Sequence, residues 1–210
     1  MRHTSLVATL LSTGLLFSAG QAVAESWTIG GNVGYAMGDA SAGAINRQLS
    51  DLGLNATATN NVESRRAWQV YLGYQHTPEV GFEVGYVNLG QVTTTLSGTT
   101  DDINTFLTSV EDIHPQTANG WQATASYRYP VDKTSNVIVK AGLLDWVNRY
   151  TLETTTVSRT VNNTGASGVV GLGFETELAT NVLLSANVSH YRISGEPVSI
   201  TDLGILYKFD

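Results

Sequence analysis

The chain contains no cysteine among its 210 residues, so no disulfide framework holds it, and an oxidising compartment is neither required nor excluded. Basic residues are scarce: 11 Lys and Arg stand against 18 Asp and Glu, a formal net charge of −7. With no basic cluster anywhere, nucleic acid is not an expected partner. There is no linker, no helical block and no proline-rich break, so the length suits one domain. No apolar run is long enough for a membrane-spanning helix. His76, His114 and His190 fall in three separate regions without paired-ligand spacing, which leaves metal binding unsupported. The acids Asp101, Asp102, Glu111 and Asp112 lack the Asp-x-Asp-x-Asp-Gly pattern of a calcium loop and read as a solvated acidic loop. No metal and no cofactor is expected.

What the chain does have is alternation. In Arg66 to Gly90, Trp68, Val70, Leu72 and Tyr74 alternate with Gln69, Tyr71, Gly73 and Gln75, and Phe82, Val84 and Tyr86 alternate with Glu83, Gly85 and Val87. Thr77-Pro78-Glu79-Val80 lies between them, with proline where no ladder donor is needed. Period two on both sides of a short turn predicts an antiparallel hairpin. One face is bulky and apolar; the other is rich in glycine, too small for an ordinary solvated exterior. An eight-stranded barrel has an interior just wide enough for side chains to fill. Aromatics outside and small polar residues inside satisfy that geometry when the outside is a membrane.

The amino terminus reads as a secretory leader. Arg2 and His3 precede the apolar Leu6 to Ala19, followed by Gln21-Ala22-Val23-Ala24, the three parts of a signal peptide. Residues 1–24 are therefore expected to be removed, leaving a barrel domain of residues 25–210. Strand patterns then recur at Trp27 to Met37, at the two halves of the hairpin, at Gly120 to Pro130, from Val137 to Leu144, from Val170 to Glu175, from Val182 to Ser189, and from Asp202 to Phe209. The short turns are Val131 to Asn136 and Ala179 to Asn181. The long connections are Gly38 to Arg65, with a helical turn or two at Ile45 to Leu54, about Thr93 to Ala118, and about Thr154 to Ser167; a shorter one surrounds Gly195-Glu196-Pro197. Continuing the fifth strand puts Asp145 outward and Trp146 inward, so either the membrane ends there or a bulge shifts the register.

Eight strands joined by alternating short and long connections predict an all-β, antiparallel, up-and-down transmembrane barrel of the bacterial outer-membrane type, with tight periplasmic turns and longer loops outside. Trp27, Tyr74, Phe82, Tyr127, Tyr129, Tyr207 and Phe209 lie near the short-turn end, and Tyr35, Trp68, Tyr86 and Trp121 near the long-loop end. Two aromatic girdles suit two membrane interfaces. Trp121 to Tyr129 spans about 26 Å along a strand at ~3.3 Å per residue, or about 20 Å of membrane normal when tilted by roughly 40°.

Gly81-Phe82-Glu83-Val84-Gly85-Tyr86, the Gly120 to Pro130 strand, Lys140-Ala141-Gly142 and Gly173-Phe174-Glu175 make the chain resemble the OmpA-like transmembrane β-barrel family over essentially its mature length. The resemblance implies an internal charge network that includes Glu83, Lys140 and Glu175, side chains the alternation already places inside. Lys140 is expected to be shared between Glu83 and Glu175, with Arg128 and Lys208 lower down and Asp202 also inside. Cell-wall anchoring through a peptidoglycan-binding domain is not expected of a chain ending at Asp210. Gly204, Tyr207 and Phe209 resemble an outer-membrane assembly signal, although Asp210 follows the final aromatic.

Four functions compete. A structural or surface-interaction barrel would sit among outer-membrane lipid and lipopolysaccharide, be inserted by the outer-membrane assembly machinery, and meet a ligand outside the cell through its loops, in adhesion or envelope integrity. A narrow porin-like channel would run past the inner charges. A lipid A-modifying enzyme would draw on Ser189, His190 and Glu196. However, Ser189 and His190 are adjacent on a strand and point to opposite faces, and Arg192 stands where the His-x-Ser spacing of lipid A deacylases needs serine. A soluble lipocalin-type binder predicts an early Gly-x-Trp, whereas Glu25-Ser26 precedes Trp27. The first reading is the expectation, without enzymatic activity.

Overall fold

The computed structural model describes residues 26–38, 42–60, 64–90, 94–98, 118–153, 158–193 and 195–209; the expected leader lies outside them. The strands are β1 (Ser26–Gly38), β2 (Ala56–Asn60), β3 (Ser64–Gln75), β4 (Val80–Asn88), β5 (Thr94–Gly98), β6 (Asn119–Pro130), β7 (Ser135–Glu153), β8 (Ser158–Ala179), β9 (Val182–Ile193) and β10 (Glu196–Phe209), with one helix, α1 (Ala42–Asp51). Eight of them close into an antiparallel barrel in the order β1-β10-β9-β8-β7-β6-β4-β3, while β2 and β5 pair separately as a two-stranded sheet. The seam runs from Trp27 opposite Phe209 to Gly38 opposite Val198.

The wall follows from period two. Val33, Val139, Val170, Leu172, Leu203 and Ile205 face outward and are more than half exposed. Their neighbours Asn32, Lys140, Asp202 and Leu206 face inward and are buried. Outward aromatics meet across strands, Trp27 against Tyr74 at 5.0 Å and Tyr86 edge-on to Trp121 at 5.7 Å, and along β10 Tyr207 stands edge-on to Phe209 at 5.1 Å. Such pairs stabilise a ladder beyond its hydrogen bonds.

Local chemistry closes the short turns. Between β3 and β4, Thr77 Oγ1 accepts from the amides of Glu79 and Val80 at 3.3 and 3.0 Å. Between β6 and β7, the Asp132 carboxylate accepts from the Thr134 amide at 2.8 Å and its hydroxyl at 3.1 Å. The Thr134 backbone bond holds the Asp132 carboxyl below its ordinary value. That contribution is present above the usual carboxylate pKa and is lost as pH falls through the lowered one. Between β8 and β9, Asn181 takes the left-handed conformation at φ 63°, which asparagine tolerates.

Several boundaries differ from the sequence expectation. The helix starts three residues earlier than Ile45, and Gly53, at φ 69°, follows its end. Part of the stretch expected as a loop from Thr154 to Ser167 is strand: β7 and β8 stay paired out to Glu153 opposite Ser158, beyond Asn119 opposite Val147 where β6 begins. Strand β10 begins at Glu196 and includes Pro197, whose missing donor is tolerated beyond the last pair with β1. Near Asp145 the register continues without a bulge: Trp121 opposes Asp145 and Gly120 opposes Trp146. Trp146 turns inward because the lumen at that end is apolar, and its indole donates to Ser167 Oγ at 2.8 Å.

Large inward side chains lie against glycines of neighbouring strands. A Cβ on Gly165 would stand 2.6 Å from the Trp146 ring, and one on Gly204 would collide with Asn32 Oδ1. Gly168, by contrast, has nothing within 4 Å of that position. Gly204→Ala should therefore cost about 1–3 kcal/mol by overpacking, and Gly168→Ala should not. The urea midpoint of the refolded barrel in detergent, read by gel mobility, checks both.

Candidate functional site

The lumen has two sections. Toward the short-turn end it is polar and charged. Lys140, on β7, reaches across β6 and places Nζ 2.9 Å from both carboxylate oxygens of Glu83 on β4. The ammonium also stands 5.3 Å from the centroid of Tyr71, within cation–π range. Arg128 Nε donates to Glu175 at 3.2 Å, and its Nη1 bonds Gln75 Oε1. Asp202 Oδ1 accepts from the amides of Asn32 at 2.9 Å and Asn187 at 2.8 Å. A narrow cavity beside these groups is lined by Gln69, Tyr71, Glu83 and Gln122.

Toward the long-connection end the lumen is mainly apolar, with Arg65, Asn148 and Ser167 buried among the apolar side chains. Ala36, Ala67, Val87, Leu89, Leu144, Trp146, Val169, Tyr191, Ile193, Val198 and Ile200 form one buried cluster with Ala118. The Tyr191 hydroxyl donates to Gln122 at 2.8 Å, joining the two sections. Above this layer, α1 buries Ile45 and Leu49, and the β2–β5 sheet ties the first long connection to the second.

The structure thus places Glu83, Lys140, Glu175, Arg128 and Asp202 in the lumen, with partners that differ in part from those expected. Lys140 is not shared. On β8 it stands opposite Gly171, whereas Glu175 is opposite Asn136, four residues or about 13 Å further along. Arg128 occupies that lower level and takes Glu175 instead. Lys208 is exposed at the end of β10 and, among the described residues, makes no ion pair. Gly204 makes room for Asn32, while Tyr207 and Phe209 are exposed on the outer wall.

The alternation put Asn32, Tyr71, Gln75 and Asn187 inside but did not signal their roles as partners. His190 bonds Ser199 rather than Ser189, Nδ1 to Oγ at 3.0 Å on the outer wall. Among the described residues no carboxylate bonds the ring to orient it, as a nucleophile–base pair requires.

Sequence comparison then decides the family. Residues 22–209 match the model of the OmpA-like transmembrane domain. The chain belongs to this family. OmpA-like barrels are outer-membrane proteins, and the chain shares their transmembrane architecture. Solved structures agree on the fold. The N-terminal β-barrel domain of Pseudomonas aeruginosa OprF is similar at 11% identity and TM-score 0.52, covering 87% of this chain and 97% of that one. Neisserial surface protein A is similar at 13% identity and TM-score 0.50, covering 87% and 97%. Among curated proteins, none matches.

Within this OmpA-like barrel, removing one member of a buried pair strands the other, at about 3–5 kcal/mol. Lys140→Ala should lower the unfolding stability in detergent by that order, and exposed Lys208→Ala by far less. Adding Glu83→Gln to Lys140→Ala should recover part of the loss. Adding Glu175→Gln should not, because Glu175 answers to Arg128.

Proposed function

We propose that the protein is a non-conducting, non-enzymatic barrel of the outer membrane, whose role is structural or lies in contacts made at the cell surface by its long-connection end. In this reading the short turns face the periplasm and the helix-bearing connections face outward. The observation that carries it is the filled lumen. The apolar layer from Ala36 to Trp146 and Tyr191 closes one section, and the paired charges fill the next. An apolar constriction excludes ions by refusing them water, and a charge pair beneath it adds a second obstacle. The secondary structure of the long-connection end, α1 with the β2–β5 sheet, supports a presented surface rather than a slack loop.

The same reading makes outer-membrane lipid and lipopolysaccharide the partners of the outer wall. It makes the assembly machinery the reader of Gly204, Tyr207 and Phe209, and export by the leader the route to the membrane. The loops are then available to a ligand outside the cell, in adhesion or envelope integrity. The narrow channel is the second reading. It is favoured by lumenal polar atoms without a protein partner, among them Thr124 Oγ1, Ser126 Oγ and Glu175 Oε1, which suit a hydrated section. Water there does not open a path through the apolar layer.

Two measurements test this. Purified protein in planar bilayers should show no steady unitary conductance; a stable conductance would establish the channel instead. Epitope tags beside Arg47 in α1 should be labelled on intact cells, and tags beside Asp132 should not. The reverse pattern would invert the topology.

A further inference from the structure

Among the described residues, Arg65 differs from every other inward charge of the barrel. Glu83, Lys140, Arg128, Glu175 and Asp202 each have a charged or amide partner. Arg65 lies on β3 opposite Ala36 and is 5% exposed. Its Nη1 is shut off from solvent and, among the described residues, has no hydrogen-bond partner and no ion-paired carboxylate.

Its position is defined by two glycines. Gly90, at φ 79°, packs over the stem, where an added Cβ would lie 3.0 Å from Arg65 Cβ and 3.2 Å from Cγ. Gly38 flanks the fork, with Nη2 3.6 Å from where its Cβ would be. These glycines mark where the first two long connections leave the wall, after β1 and after β4. Ala36, Ala67, Leu89 and Val198, members of the apolar layer, lie at the same end of the lumen.

A guanidinium stays charged in a protein, so burial without a counter-charge is unfavourable. Its five donors form a rigid fork that matches two oxygens of a phosphate, sulfate or carboxylate. The side chain faces the lumen, which removes lipid headgroups on the outer wall from reach. We propose that Arg65 anchors an oxyanion-binding site at the mouth of the barrel, between Gly38 and Gly90, for a phosphate, sulfate or carboxylate group arriving from the long-connection side. The site deepens the surface-interaction reading and rests on it for the source of its ligand. Binding by the purified barrel does not depend on which end faces outward, so the two fail separately.

The test uses the full chain folded in zwitterionic detergent, with thermal unfolding followed as phosphate, sulfate or acetate replaces chloride at constant ionic strength. The wild type should show a saturable rise in midpoint with at least one oxyanion. Arg65→Gln should abolish the rise while unfolding in chloride at or above the wild-type midpoint, since it removes an unpaired buried charge. Arg66→Gln, on the outward face, should keep the rise. Should Arg65→Gln fail to fold, Arg65→Lys, which keeps the charge without the fork, carries the test with an apparent Kd raised about tenfold. No saturable response in the wild type would overturn the proposal. So would an equal response in Arg65→Gln, or an unchanged Kd in Arg65→Lys. A chloride midpoint for Arg65→Gln well below wild type would place Arg65 in an ion pair within the chain and overturn it too. Vesicles carrying anionic lipid, supplied instead of the free anions, should give no Arg65-dependent shift; one would assign the site to lipid.

Discussion

A strand edge exposed to hydrocarbon leaves a row of unpaired amides and carbonyls, and the cost of each is what forces this sheet to close. The seam between β1 and β10 is where that demand is met, from Trp27 opposite Phe209 to Gly38 opposite Val198. Closure fixes everything else. Once the ring exists, every second side chain faces outward, and those that meet hydrocarbon are apolar, as Val33, Leu172 and Leu203 are. Every other one enters a lumen too narrow to be left empty. Glycine at 30, 85, 165 and 204 and large side chains such as Tyr71 and Trp146 on adjacent strands are two halves of one packing solution.

The lumen answers this constraint differently at its two ends. Near the short turns, charges neutralise each other: Lys140 with Glu83, Arg128 with Glu175, and Asp202 with two amides. A buried ion pair of this kind adds little net stability over a well-packed apolar pair, but losing one partner is costly. Near the long connections, packing replaces pairing, and Leu144, Trp146, Tyr191 and Ile193 exclude water. An open pore needs both sections to yield. A closed wall that carries folded connections at one end needs neither to move.

The wall was readable in the sequence because period two survives wherever lipid demands it: the hairpin of Trp68 to Tyr86 and the order of the strands both follow from it. Beyond the membrane that demand lapses. The Asn162-Asn163-Thr164 run of β8 and the Ala-Thr-Ala-Thr-Asn of β2 carry no alternation of bulky apolar residues, so strands there looked like loops. The inward direction of Glu83, Lys140 and Glu175 was legible; the pairing was not. Lys140 meets Glu83 across an intervening strand, and which level meets which depends on the stagger of non-adjacent strands, a property of closure rather than of local pattern. Trp146 appeared misplaced because the lumen was taken to be polar throughout. The amide clamp on Asp202 and the burial of Arg65 without an ion pair among the described residues are likewise products of the assembled barrel.

The central claim is that alternate residues face lipid and a closed lumen. The absence of native cysteine makes a single-cysteine scan along β9 its most direct test, with spin labels at Leu184, Ser185, Ala186 and Val188 in the barrel reconstituted in bilayers. Labels at Leu184, Ala186 and Val188 should collide strongly with oxygen dissolved in the lipid. The label at Ser185, buried in the lumen, should be shielded from lipid-dissolved oxygen and strongly immobilised. Uniform accessibility to a water-soluble relaxation agent at all four positions, or lipid contact at Ser185 in place of its neighbours, would contradict the account.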